Sequence, residues 1–159
     1  MEEGNEVQIV AVDKNNFDAL IEMDKQLALY SKVTPPDEDA LVRLRADYFN
    51  EKPKFEAYLA KLNGEFVGYL ILKDIYSSFI ARPTLFIENL FVVEEHRRHG
   101  VGQAIFDFCK MLAKERGCGR IDWVALSWNT AAIEFYKKNG AIHKDELEYF
   151  RLEINHDNN

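Results

Sequence analysis

The segment Val92-Val93-Glu94-Glu95-His96-Arg97-Arg98-His99-Gly100-Val101-Gly102-Gln103 carries the clearest chemistry in the sequence. An apolar run ends, a short basic loop follows, and an amphipathic pattern begins, so a strand passes into a helix. The first N–H groups of a helix have no partner within it, and the helix dipole adds partial positive charge there. Both favour an anion in the loop. Gly100 and Gly102 take side chains out of its way, and Arg97 and Arg98 add positive charge to a chain whose net charge is −7. This combination suits a pyrophosphate. It is not a Walker P-loop, because the GK[ST] ending is absent, nor a dinucleotide fingerprint, which would need glycine where Ile105 stands. A plain strand–helix turn with surface arginines is the competing reading.

Glu88 is the second point of chemical interest. It interrupts the apolar run Thr84 to Val93, where a buried carboxylate is costly without a purpose. Partial burial would raise its pKa and make it a base, directly or through water. An outward-facing strand residue is the alternative. Tyr136 reads on its own as a helix core residue, and Asn129 as a helix cap. His96 and His99 read as solvated, and Trp123 and Trp128 as packing residues. Cys109 and Cys118 form no CxxC pair, no histidine spacing suggests a metal, and the cysteines read as reduced thiols of a cytoplasmic protein.

The elements that must position these groups can be read from the same sequence. Val7 to Val12 predicts a strand, and Phe17, Leu20, Ile21, Leu27 and Ala28 recur at helical spacing. A second helix is expected from about Asp37 to Phe49, after Thr34-Pro35-Pro36. Phe55 to Leu62 and Phe66 to Lys73 predict a hairpin, because Asn63-Gly64 suits a type I′ turn. Thr84 to Val93 is a third long strand, apolar enough to be covered on both faces. Val101, Ile105, Phe108, Leu112 and Ala113 make an amphipathic helix ending near Arg116-Gly117. Arg120 to Leu126 predicts a strand, Asn129 to Asn139 a short helix, and Ile142 to His143 and Glu148 to Ile154 closing strands. The fold class expected is α/β (α+β): a mixed sheet of about seven strands with helices on both faces.

At 159 residues the chain suits one domain, residues 1–159, with no repeat or linker. The acidic balance argues against nucleic acid and is mildly favourable to cationic substrates. The acidic start, MEEGNEV, is not a signal peptide, and no apolar run approaches the ~20 residues of a membrane span.

Taken together, several segments resemble one family. Arg97-x-x-Gly100-x-Gly102 resembles the [RQ]xxGxG/A acetyl-CoA signature of the GNAT acetyltransferase superfamily, in the same strand-to-helix context. Tyr76-Ser77-Ser78-Phe79 and Leu85-Phe86-Ile87-Glu88-Asn89-Leu90-Phe91-Val92 resemble the YSxF…LYLEDLFV stretch of spermidine/spermine acetyltransferase-like members. Trp128-Asn129 and Phe135-Tyr136-Lys137-Lys138-Asn139-Gly140-Ala141 resemble their WN…FYxxxGA segment. The resemblance runs from about Tyr76 to Ala141, with an acetyl-CoA-binding core at about 84–141.

The resemblance implies an N-acetyltransferase that moves acetyl from acetyl-CoA to a primary amine by direct attack, and a homodimer. It implies that the backbone of Leu90, Phe91 and Val92 pairs with the pantetheine arm. It implies that Arg97, Arg98, His99, Gly100, Val101, Gly102 and Gln103 surround the pyrophosphate and that Asn129 touches the cofactor near its reactive end. Tyr136 matches the proton donor to the CoA sulfur, a role open to a phenol that stays protonated at neutral pH. Glu88 matches a carboxylate beside the amine. Tyr30, Ser78, Phe79, Glu88 and Asn89 fall at amine-binding positions.

Three acidic positions of the polyamine enzymes are neutral here: Ser31, Ser78 and Asn89. A shorter amine, such as a lysine analogue, or a peptide N-terminus is therefore open beside a polyamine. An acetyltransferase for protein N-termini and a non-catalytic acetyl-CoA sensor are the competing functions. The sensor would not need Glu88 and Tyr136.

Overall fold

The computed structural model describes residues 6–156. The chain divides into two compact units, Met1–Val124 and Ala125–Asn159. The first holds β1 (Gln8–Ala11), α1 (Phe17–Tyr30), α2 (Glu38–Tyr48), β2 (Glu56–Leu62), β3 (Glu65–Ser77), β4 (Arg82–Val92), α3 (Val101–Glu115) and β5 (Arg120–Trp123). The second holds α4 (Thr130–Lys138).

The five strands form one mixed sheet in the order β1-β2-β3-β4-β5, antiparallel except for the parallel β4–β5 pair. The β2–β3 turn has the two positive φ angles of a type I′ turn, 50° at Asn63 and 82° at Gly64. Asp37 caps α2 by accepting a hydrogen bond from Ala40 N at 2.8 Å.

Each face of the sheet carries a helix because side chains alternate along the strands. Phe17, Leu20 and Met23 of α1 pack with Ala57, Leu59, Tyr69, Ile71 and Phe91. The other face receives α3, whose Val101, Ile105 and Cys109 are buried. Gly68 lets α3 approach: a Cβ there would lie 2.8 Å from Phe91 O and 3.2 Å from Ile105 Cδ1. At the far end of α3, Arg116 donates to Glu56 at 2.6 and 2.7 Å and to Asp74 at 3.1 Å, tying the helix to β2 and β3.

Two expectations need correction. The sheet has five strands among the described residues rather than about seven, because 141–156 has no regular structure. A strand forms only against a partner edge, and this segment pairs with no strand among the described residues. It carries instead the local ion pairs His143–Asp145 and Lys144–Glu146. β3 also runs on to Ser77 instead of ending at Lys73, because its ladder with β4 continues where Lys73, Asp74, Ile75 and Tyr76 are exposed. No helix of the described residues is long and apolar enough to cross a membrane.

Candidate active site

The site begins at an irregularity in β4. Ile87 pairs with Leu72 and Asn89 with Ile71, so Glu88 has no opposite number on β3 and forms a β-bulge. Its side chain is exposed. On its other edge β4 pairs with β5 only from Thr84 to Ile87. Beyond Ile87 that edge has no strand partner among the described residues.

The hydrogen-bond phase of β4 decides which groups face the open edge. Val93 N donates to Val67 O at 2.9 Å, toward β3. Alternation then turns the backbone groups of Leu90 and Val92 outward and those of Phe91 toward β3. Val92 O accepts from Arg97 Nε at 3.0 Å. Leu90 thus offers an N–H and a C=O on the open edge, two residues past Glu88.

The loop after β4 contains a 3-10 turn, Glu94–His96, then Arg97 in extended conformation and Arg98 at φ 64°. Gly100 precedes α3 at φ 80° and gives no side-chain cap. Open space surrounds its missing Cβ, so the left-handed backbone is what favours glycine here. The first turn of α3 contains no acidic residue. Gly100 thus gives the first turn of α3 no side-chain cap, and the exposed Arg98 and His99 precede the Val101 and Gly102 amides. These donors fit an anionic diphosphate. Arg97 is used differently: its guanidinium lies 5.0 Å from the Tyr30 ring and 5.6 Å from the Phe91 ring, bracing α1 against β4.

On the α1 face a polar cluster adjoins the bulge. Asp24 Oδ1 accepts from Tyr69 Oη at 2.7 Å and from Asn89 Nδ2 at 3.2 Å. Burial, then the Asp24 carboxylate, push the Tyr69 phenol far up, so it stays a proton donor. Sequence reasoning missed Asp24 and Tyr69. The available signal was an acid four residues after the buried Leu20 and three before Leu27, on the face of α1 that packs on the sheet. Tyr30, partly exposed, is held by Arg97. Ser78 and Phe79 lie beyond β3, and Phe79 is fully exposed. They stand about 20 Å along the strands from Glu88, at about 3.3 Å per residue, so this arrangement does not bring them to it.

In the second unit Asn129 caps α4, accepting from Ala132 N at 3.3 Å. Tyr136 packs edge-on against Phe135, with ring centroids 5.7 Å apart. Burial pushes its phenol up, so it carries its proton throughout the neutral range. Trp123 packs on Phe106. Cys109 is buried and its thiol is pushed up to about 12 by burial, which leaves it un-ionised and unreactive.

The sequence profile of the Acetyltransferase (GNAT) family matches residues 17–141. Thialysine N-epsilon-acetyltransferase of Sus scrofa is 31% identical over 137 residues, covering 81% of this chain and 80% of the relative. L-ornithine N5-acetyltransferase NATA1 of Arabidopsis thaliana is 37% identical over 104 residues, covering 64% of this chain and 46% of the relative. Among solved structures, an integron cassette protein from the mobile metagenome of V. cholerae is 26% identical with a TM-score of 0.79, covering 94% of this chain and 93% of the other.

Proposed function

The chain belongs to the acetyltransferase (GNAT) family and is an acetyl-CoA-dependent N-acetyltransferase, and we propose that its acceptor is the terminal primary amine of a small cationic molecule of the lysine-analogue or ornithine kind. The observation that carries this reading is the bulge at Glu88, which sets a carboxylate where the β4 edge comes free, just before the anion-binding loop.

Bound acetyl-CoA supplies an activated acyl carbon and a thiolate leaving group. The open edge at Leu90 and Val92 suits the amide groups of a pantetheine arm. The Val101, Gly102 and Gln103 amides, with Arg98 and His99, suit the pyrophosphate. The Leu90 N–H is a fixed donor for the carbonyl oxygen as negative charge grows on it. Glu88 accepts a proton from the acceptor ammonium, directly or through water, so that the amine attacks as a neutral nucleophile. Tyr136 gives its proton to the departing sulfur, and Asn129 serves the reactive end of the cofactor. Tyr30 and Asn89 bound the amine side. Attack is direct rather than through an acetyl-cysteine, which the raised, buried Cys109 thiol supports.

Incubation with acetyl-CoA and spermidine, putrescine, lysine, thialysine, ornithine and short peptides, followed by assay of free CoA thiol, tests this reading. Release is expected with thialysine or ornithine. Silence across the panel, with acetyl-CoA bound in a separate titration, refutes the small-amine acceptor. The protein works as a cytoplasmic homodimer with no nucleic-acid or membrane partner. The net charge of −7 supports the absence of nucleic acid, and the free thiols of Cys109 and Cys118 a reducing compartment. Supporting a dimer, the segment 141–156 exposes Ile142 (81%), Phe150 (87%) and Leu152 (86%), a large apolar content to leave in water. Light scattering that returned a monomer would overturn the dimer.

A further inference from the structure

Asp24 lies on α1, Tyr69 on β3 and Asn89 on β4, and their side chains meet beside the bulge. A carboxylate can only accept hydrogen bonds, so the Asn89 amide must turn its nitrogen toward Asp24. This fixes what Asn89 has left to offer. Its Nδ2 is engaged, which leaves Oδ1 as the acceptor on the residue that follows Glu88.

We infer that Asp24 sets Asn89 as an acceptor for the incoming amine and supplies, from the helix, the negative charge that the strand lacks at position 89. The inference rests on the acetyltransferase reading and concerns primary alkylammonium acceptors. An amide that donates to a carboxylate is polarised along its length, which strengthens its carbonyl oxygen as an acceptor. Asn89 Oδ1 takes one N–H of the acceptor nitrogen while Glu88 takes the transferable proton, so the lone pair is aimed as it forms. Asparagine is the side chain suited to this place, since it donates on one side and accepts on the other. An aspartate there would face Asp24 at about hydrogen-bond distance, and the two carboxylates would repel. Tyr69, with its hydroxyl on the same Asp24 oxygen, holds the carboxylate in place.

Steady-state kinetics test the inference with saturating acetyl-CoA and varied thialysine on wild type, D24N, D24N/N89D and Y69F. D24N is expected to raise the thialysine KM about 10- to 30-fold, with kcat within about threefold and the acetyl-CoA KM unchanged. D24N/N89D returns the carboxylate to the strand, opposed by an amide, and should recover most of the lost KM. Y69F keeps both partners but removes one hydrogen bond to Asp24, so its thialysine KM should rise by less than that of D24N. An unchanged KM in D24N, no recovery in the double variant, or a Y69F defect as large as that of D24N would each overturn the inference. With the wild type active, those outcomes leave the acetyltransferase reading standing. A wild type inactive on every amine removes that reading, and this inference with it.

Discussion

Replacing Gly68 with alanine places a methyl group where β3, β4 and the first turn of α3 meet. The new carbon would lie 2.8 Å from Phe91 O, where ordinary contact begins at 3.4 Å. The shortfall is about 0.6 Å, and Phe91 O belongs to the β4 backbone, so no rotamer change relieves it. Ile105 Cδ1 at 3.2 Å and Val101 Cγ1 at 3.4 Å leave little space on the helix side. Overpacking of this kind costs about 1–3 kcal/mol. At about 2–4 °C per kcal/mol for a protein of this size, Tm should fall by about 2–12 °C. Relief by moving β4 or α3 also shifts the Leu90 edge or the Val101–Gln103 amides. A displacement of about 0.5 Å exceeds what a preorganised site tolerates, and the acetyl-CoA KM should rise about tenfold. The control is Gly64→Ala, at φ 82° with nothing within 4 Å of the added carbon. It costs only left-handed backbone strain, about 1–2 kcal/mol, and its added carbon touches neither β4, α3 nor the loop. Thermal melts and steady-state assays on both variants should show comparable losses of Tm, with the acetyl-CoA KM changed only in Gly68→Ala. A Gly68→Ala protein with lowered Tm and wild-type KM would refute the link between this packing and the cofactor site.

Three further outcomes follow from the same geometry. Tyr136→Phe should lower kcat about 100-fold while acetyl-CoA affinity by calorimetry stays unchanged, since general acids contribute on that scale. Gly102→Glu puts a carboxylate among the amides at the start of α3 and should weaken acetyl-CoA binding at least about tenfold by titration. For Glu56, burial alone would raise the carboxyl pKa, but hydrogen bonds from Arg116 and Tyr58 hold it below its ordinary value. A lowered folded pKa gives stability that is present above the ordinary value and lost as pH falls through the folded one. Glu56→Gln should thus cost about 1 kcal/mol at neutral pH, discounted for partial exposure, and denaturant titrations should show the difference closing in acid.

Elements fixed by local chemistry were legible in the sequence. Asn63-Gly64 permits few turns other than the one formed, and the stripe Val101, Ile105, Leu112 and Ala113 defines the buried face of α3. Burial patterns miss backbone pairing that outruns the core. Lys73 to Tyr76 look like loop by hydropathy, yet they stay in the ladder with β4. The closing strands failed for a different reason: Tyr149, Leu152 and Ile154 have strand-like chemistry, yet their segment pairs with no strand among the described residues. In the site, the loop and the position of Glu88 were readable because they lie within one strand–loop–helix passage. The direction taken by Arg97 was not, since it depends on Tyr30, which lies 67 residues earlier in the chain. The Asp24 cluster was equally hidden, because its three members come from three elements.

The bulge at Glu88 has the character of a frameshift. Before it, Leu85 and Ile87 share a face with Asp74 and Leu72. After it, Asn89 and Phe91 share the opposite face with Ile71 and Tyr69. Odd-numbered residues thus change sides at a single position, and β4 is two half-strands spliced in different phases. This explains why Leu85 to Val92 shows no clean alternation. Excising residue 88 would leave each remaining side chain on its present face and the ladder continuous. The fold does not require the extra residue. It is a one-residue insertion that the sheet tolerates at the place where the proposed chemistry needs a carboxylate.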